Sequence, residues 1–362
     1  MKISFVAFLL SLHFASSAQV DNPETLPTKI YELKVKTRGP ASLHLPFQSI
    51  KIIDSRYDTS KIGFLYTHSF FSQSKKPFRL TRLNNGVQQS VESFYNEYYK
   101  MNFSNNGNRL LIVLKKLWIA DVSSSAVEQT NEYKSKTARQ FVYAKFEYYA
   151  GVNNTYIPLK RIDTLFQLLT TPVGEEYNPK EEGSLPFLCF SLENMVEKMN
   201  YDEYFDHLTN KRSMTQEELI EVRTKEKHML ILQEPTKQGV FVTFDEFKNN
   251  TPSITAFNKN IFPKQKVYEL LDAKKNVILH YYACFDGDKL LMPIPYSLML
   301  PGNTNQTNPV AYRVGNSFEF YQMIGNMDAE LKFSQSTRRL RLPHKNLEYL
   351  PRQIDMETGL AY

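Results

Sequence analysis

The chain has 362 residues, 42% of them hydrophobic and 13% aromatic, so it can bury large cores, and its length suits two domains of about 100–200 residues each. Its formal charge is +6, with Lys and Arg spread along the chain; that spread excludes the concentrated basic patch that nucleic-acid binding requires. The two cysteines, Cys189 and Cys284, sit in the apolar strings "FLCF" and "YYACF" and allow either one bridge or two buried thiols.

In chain order, residues 1–18 read as a secretory signal peptide. Lys2 supplies the positive start, residues 3–15 form the apolar core, and Ser16 and Ala18 stand at the −3 and −1 positions of a cleavage site. The mature chain then starts near Gln19. No Cys follows the apolar core, and no later apolar run approaches the ~18 residues of a membrane span. The expectation is a soluble periplasmic or secreted protein without transmembrane segment or lipid anchor.

The organisation expected is α+β in two domains, each a mixed or antiparallel sheet with a few packed helices. Residues 19–170 form the first, 171–184 a polar linker ("TPVGEEYNPKEEGS"), and 185–362 a strand-rich second. After a polar lead-in to residue 45, "IKIIDSRYDTSKIGFLYT" reads as strand, turn, strand, with Asp54, Ser55, Asp58, Thr59 and Ser60 as turn formers. Val87, Val91, Phe94, Tyr95, Tyr98 and Met101 make one helical stripe, with "NNGN" at 105–108 as its stop. The chain is apolar almost without alternation from Leu110 to Leu114 and again from Leu117, as in a strand covered on both faces. A polar hairpin loop at 123–137 leads to a strand at 138–151, and "YIPLKRIDTLFQLL" (156–169) is expected as a helical exit.

In the second half, residues 192–210 and 215–226 read as helices, the latter opened by the capping-box pair Thr215 and Glu218. Strands are expected in "HMLILQE", "GVFVTF", "NVILHYYACF", "KLLMPIPY", "AYRVG" and "SFEFYQMI". In "GVFVTFDEFKNNTPS", Thr243 and Glu246 repeat the capping spacing, so a short helix should follow, with Asn249 and Asn250 at its end and Pro252 as the stop. A calcium loop needs an order of oxygen ligands that this stretch lacks.

"IKIIDSRYDTSKIGF", "GVFVTFDEFKNNTPS" and "CFDGDKL" followed by "RVGNSFEF" resemble a family of uncharacterised exported proteins of Bacteroidetes. The resemblance runs in short blocks over most of the mature chain. It implies export and carries no activity or functional residues.

Motifs for hydrolases, zincins, P-loops and dinucleotide folds are missing from the sequence. Outside the signal, His44, His68, His207, His228, His280 and His344 show no metal-ligand spacing. Asp286 and Asp288 flank Gly287 as in a tight turn, with a cation site as the alternative. Sequons at Asn102, Asn153, Asn249 and Asn305 fit an Asn-rich composition. The sequence therefore names no catalytic, cofactor or metal residue. Its leading function is a non-catalytic exported protein binding an envelope protein or glycan, rich in the Tyr and Phe that serve interfaces. The alternative is a periplasmic hydrolase of glycans or peptides with a carboxylate or His site between the domains.

Overall fold

The computed structural model describes residues 30–37, 39–66, 78–124, 136–173, 184–199, 212–262, 267–293, 310–324 and 348–361. The expected signal peptide, His68, His207, His344, Asn305, most of the 123–137 loop and most of the expected linker lie outside them.

The fold is α+β. A large mixed sheet is built from β1 (Ile30–Leu33), β2 (Leu45–Asp54), β3 (Gly63–Tyr66), β4 (Phe78–Leu83), β5 (Phe103–Ser124), β6 (Lys136–Val152), β7 (Thr155–Val173) and β8 (Met214–Thr215). Its order is β1-β4-β3-β5-β6-β7-β8, and β2 pairs separately with β5. The 22-residue β5 serves two parallel partners in turn, β2 along its first half and β3 near its end. Gly63 permits the second pairing. Its φ is 130°, and a Cβ there would stand 1.8 Å from the Ile119 carbonyl oxygen. β6 and β7 are joined by a tight turn at Asn153 and Asn154, both at positive φ, which suits a two-residue hairpin.

Helix α1 (Val87–Tyr98) buries the expected stripe, except that Met101 lies beyond the helix and is exposed. Its other face does more than meet solvent. The Glu92 carboxylate accepts from the Ile52 N–H, and Asn96 both accepts from Ile50 N–H and donates to its carbonyl. These side chains satisfy the free edge of β2, which water or another strand would otherwise claim. Helix α2 (Ser184–Glu197) buries Phe187, Leu188, Leu192, Met195 and Val196 in the same core as α1. Tyr95 and Tyr148 donate their hydroxyls to the Leu192 and Met195 carbonyls. Elements past residue 184 thus complete the first core.

Four expectations are corrected. Residues 156–169 are strand β7, not a helix. Asn105–Asn108 lie inside β5; the helix has already ended at Tyr98. "HMLILQE" forms the short helix Leu230–Gln233 rather than a strand, with Ile231 and Leu232 turned into the core. In "NVILHYYACF" only Ala283–Phe285 joins a sheet as a strand.

The helix at 215–226 is found as α3 (Gln216–Glu226), with both bonds of the Thr215/Glu218 capping box present. Leu230–Gln233 is α4. Beyond it, β9 (Gly239–Phe241), α5 (Phe244–Lys248), the hairpin β10 (Phe257–Phe262) and β11 (Val267–Asp272), β12 (Ala283–Phe285), β13 (Leu290–Leu291), β14 (Val310–Val314), β15 (Ser317–Ile324) and β16 (Glu348–Gln353) follow among the described residues. The second sheet runs β16-β15-β14-β13-β12-β9, antiparallel throughout. Phe247 fills its core against Phe241, Phe318 and Tyr282.

The Thr243 cap is present, its oxygen accepting from Glu246 N–H, although the Glu246 carboxylate returns to Val242 N–H rather than to Thr243. Asn250 ends this helix in the left-handed region, at φ 53°, and its buried amide ties down Lys237 and Pro235. Asp286 accepts from the Asp288 and Lys289 N–H groups and pairs with Lys259, so that turn is closed by its own bonds. Cys189 and Cys284 are buried in separate cores and form no disulfide, and burial pushes the Cys284 thiol up to about 12.

Candidate functional site

Pleating sends successive residues of a strand to opposite faces. On β5, Leu110, Ile112 and Leu114 face the helices; then Leu117 and Ile119 do. The phase slips because Lys115 is the extra residue of a bulge: Leu114 opposes Phe146 and Lys116 opposes Lys145. Two consecutive lysines thereby reach the outer face. Beside them stand Lys145 and Glu147 from β6 and Arg161 and Asp163 from β7.

Two segments cover this charged band. Helix α3 brings Arg223 and Glu226, and the turn after β16 brings Asp355 and Glu357. Lys116 Nζ lies 2.9 Å from Asp355 Oδ2, and Lys145 Nζ lies 3.1 Å from the same oxygen. Lys145 also reaches Glu357 at 2.7 Å and Asp163 at 3.3 Å. Arg161 pairs with Glu357 at 2.7 Å, Lys115 with Glu226 and Glu357, and Arg223 with Glu226 and Glu147. The band thus holds five cations and five carboxylates, and it is balanced.

The titration of these groups follows from who shares whom. Burial works to raise Asp355, but the ammoniums of Lys116 and Lys145 hold it down at about 2. Burial outweighs the attraction of Asp355 at Lys116 and, with the neighbouring Lys145 ammonium, lowers it to about 8. Burial also opposes the charge on Lys145, yet Glu357 and Asp355 together hold its pKa above the ordinary lysine range. Burial pushes the Tyr149 phenol up to about 12, so it serves as a neutral donor to Glu147.

A smaller buried group flanks the band. Lys61 pairs with Glu319 at 2.6 Å, and Gln353 donates to both Asp58 and Glu319. Burial raises the Glu319 carboxyl. Arg56 grips Asp54 with two nitrogens, each at 2.9 Å, and donates a third to the Lys61 carbonyl at 2.6 Å.

Next to these groups opens a cleft of about 390 Å³ between the end of β2, α3, α4 and the β14–β15 turn. Ile53, Ile220 and Leu232 give it apolar walls, and Asp54, Ser55, Arg223, Lys227 and His228 its polar ones. The Ser55 hydroxyl and the Arg223 Nε–H are buried without a hydrogen-bond partner among the described residues. Burial lowers the pKa of Lys227, which neighbouring Asp54 partly restores. Its ammonium makes no hydrogen bond or ion pair among the described residues. His228 Nδ1 is engaged by the Gln233 amide.

Of the residues singled out in the sequence, Asp54, Ser55 and His228 come together here, while His44 and His280 lie elsewhere and exposed. Sequence reasoning missed Arg223, Lys227, Lys145, Asp355 and Glu357. One signal was present: Lys115-Lys116 interrupting an apolar run, a pair that a buried strand accepts only with partners waiting. No group of three His, Cys, Asp or Glu suited to a metal occurs among the described residues. Nor does any helix among them have the length and apolarity to cross a membrane.

No family model matches the chain, and no curated protein does. One similar solved structure is an uncharacterised protein, 11% identical, covering 49% of this chain and 99% of its own at a TM-score of 0.22. Another, from Xanthomonas campestris and assigned to the family DUF330, is 8% identical and covers 47% of this chain and 92% of its own at 0.26. Likeness this slight carries no argument about this chain.

Proposed function

We propose that the chain is a non-catalytic exported protein that binds another component of the cell envelope, with the cleft as its contact. One observation carries this reading. Among the described residues the cleft is lined by a single carboxylate, Asp54, and Arg56 clamps it, while the buried donors of Ser55 and Arg223 and the Lys227 ammonium beside them have no hydrogen-bond partner.

A glycan hydrolase needs a pair of carboxyls flanking one bond, about 5–9.5 Å apart, one of them raised in pKa. Among the described residues the one carboxyl raised by its surroundings is Glu319, which is held by Lys61 and Gln353 and does not line the cleft. Lys227 and His228 form no hydrogen bond with the Ser55 hydroxyl among the described residues, so no nucleophile–base pair is assembled there. The export half of the reading rests on residues 1–18, read from sequence alone.

The test is to express the full chain in a Gram-negative host, determine the N-terminus of the product, and use it as bait in envelope extracts. The expected result is a start near Gln19 and a reproducible envelope partner. An uncleaved cytoplasmic product, or hydrolysis of envelope glycan or peptide that falls with Asp54→Asn, overturns the proposal.

A further inference from the structure

We infer that the cleft is a receptor for a monoanionic oxyanion head on an apolar body, a carboxylic acid or a phosphodiester. The inference rests on the binding reading above and adds the chemistry of what is bound.

Charge sets the head group. Asp54 is neutralised by Arg56, and the Arg223 guanidinium by Glu147 and Glu226, which hold its Nη groups. Lys227 is then the cavity's cation without an ion pair of its own among the described residues, since the nearby Asp54 is held by Arg56, and one net positive charge matches one negative charge. A phosphomonoester dianion would leave a charge in excess in a partly desolvated site.

Donor geometry supports the same answer. Ser55 is 3% exposed, and its hydroxyl lacks a partner among the described residues. Leaving a buried polar group unpaired is unfavourable, and a native structure keeps few such groups without reason. Arg223 lines the same cavity with its Nε–H unpaired while its other nitrogens are fixed, so the guanidinium does not have to be ordered on binding. A hydroxyl, a guanidinium N–H and an ammonium around one cavity form a donor set for oxyanion oxygens. Ile53, Ile220 and Leu232 supply the surface for an apolar body, and a cavity of about 390 Å³ is of the size that small-molecule sites use.

The test is isothermal titration calorimetry of the full mature chain with three probes: octanoate, dihexanoylphosphatidylglycerol and the neutral 1-octanol. Saturable binding of at least one anion is expected, with octanol weaker by about tenfold or more. Lys227→Met should weaken the anion by about tenfold or more and leave octanol unchanged. Ser55→Ala should weaken it a few-fold without lowering the melting temperature, because the hydroxyl has no partner in the fold among the described residues and its burial unpaired is unfavourable. The anion that binds more tightly identifies the source of the head group. Absence of saturable anion binding, equal affinity of wild type and Lys227→Met, or octanol binding as tightly as the anions overturns the inference. If the anions fail while the bait still recovers its envelope partner, only the ligand assignment falls. If the anions bind and no envelope partner exists, only the envelope reading falls.

Discussion

On its inner side the large sheet meets α1 and α2 through Leu110, Ile112, Val142, Phe146 and Tyr148, all fully removed from water. On its outer side the same strands meet α3 and the 355–359 turn through Lys115, Lys116, Lys145 and Glu147, which are almost as deeply buried. The apolar face gains free energy from area, about 25 cal/mol per Å², and area has no preferred orientation. The charged face pairs ions whose attraction is largely offset by the loss of their hydration. Its effect is directional. Asp355 meets two ammoniums in one arrangement, and any other docking leaves charges bare. One sheet therefore divides two tasks between its faces, stability on one side and register on the other.

The largest test removes the shared carboxylate. Asp355→Ala removes the buried carboxylate that Lys116 and Lys145 share and should cost about 3–5 kcal/mol in urea denaturation. Lys116→Met combined with Asp355→Leu should recover most of that, because an apolar pair has no hydration to surrender. A single variant costing under about 1 kcal/mol would show that the joint is wet.

Acid probes the same face without mutation. A carboxyl held at about 2 in the folded protein takes up protons more readily when unfolded, where its value is near the ordinary ~3.9. The stability that Asp355 contributes is thus fully present above about pH 4 and is lost as the pH falls toward 2. It amounts to about 2–3 kcal/mol for this group alone. The lowered carboxyls of Glu226 and Glu357 act in the same direction. Denaturation at pH 5, 3 and 2 should show the fall, and Asp355→Asn should flatten it.

On the apolar face, Ile112→Val deletes one methylene from a full core and should cost about 0.5–1.5 kcal/mol, equally at pH 7 and pH 3. The smallest effect belongs to Arg82 and Glu32, an ion pair at the sheet edge with both side chains about half exposed. Glu32→Gln should cost about 0.2–1 kcal/mol in low salt and nothing measurable at 1 M salt. A cost as large as that of Asp355→Ala would end the distinction between exposed and buried pairs.

Local patterns were legible. The α1 stripe, the doubly covered β5 and the Thr215 and Thr243 caps each rest on neighbours within one element. Strand β7 was not legible, for a physical reason. Leu159, Ile162 and Phe166 lie on the core side at spacings of three and four, which imitates a helix. A bulge at Leu159 produces that spacing, with Tyr149 opposing Pro158 and Tyr148 opposing Lys160. Its outward positions, Arg161 and Asp163, are matched by charges on other segments, which no local period reveals. The cleft was legible only in part. Asp54, Ser55 and His228 stood out as residue types, whereas Arg223 and Lys227 looked like the solvated face of a helix until α3 was laid over the sheet.

The bulge at Lys115 also has a consequence in time. Lys116 and Lys145 meet Asp355 across 239 and 210 residues of chain. At roughly 5–20 residues per second, the carboxylate leaves the ribosome about 10–50 s after the lysines do. The residues of the inner core all lie before position 200, so that face has its full set of side chains early in synthesis. Through that interval the lysines of the other face wait for their cover, first for Glu226 on α3 and last for Asp355 and Glu357.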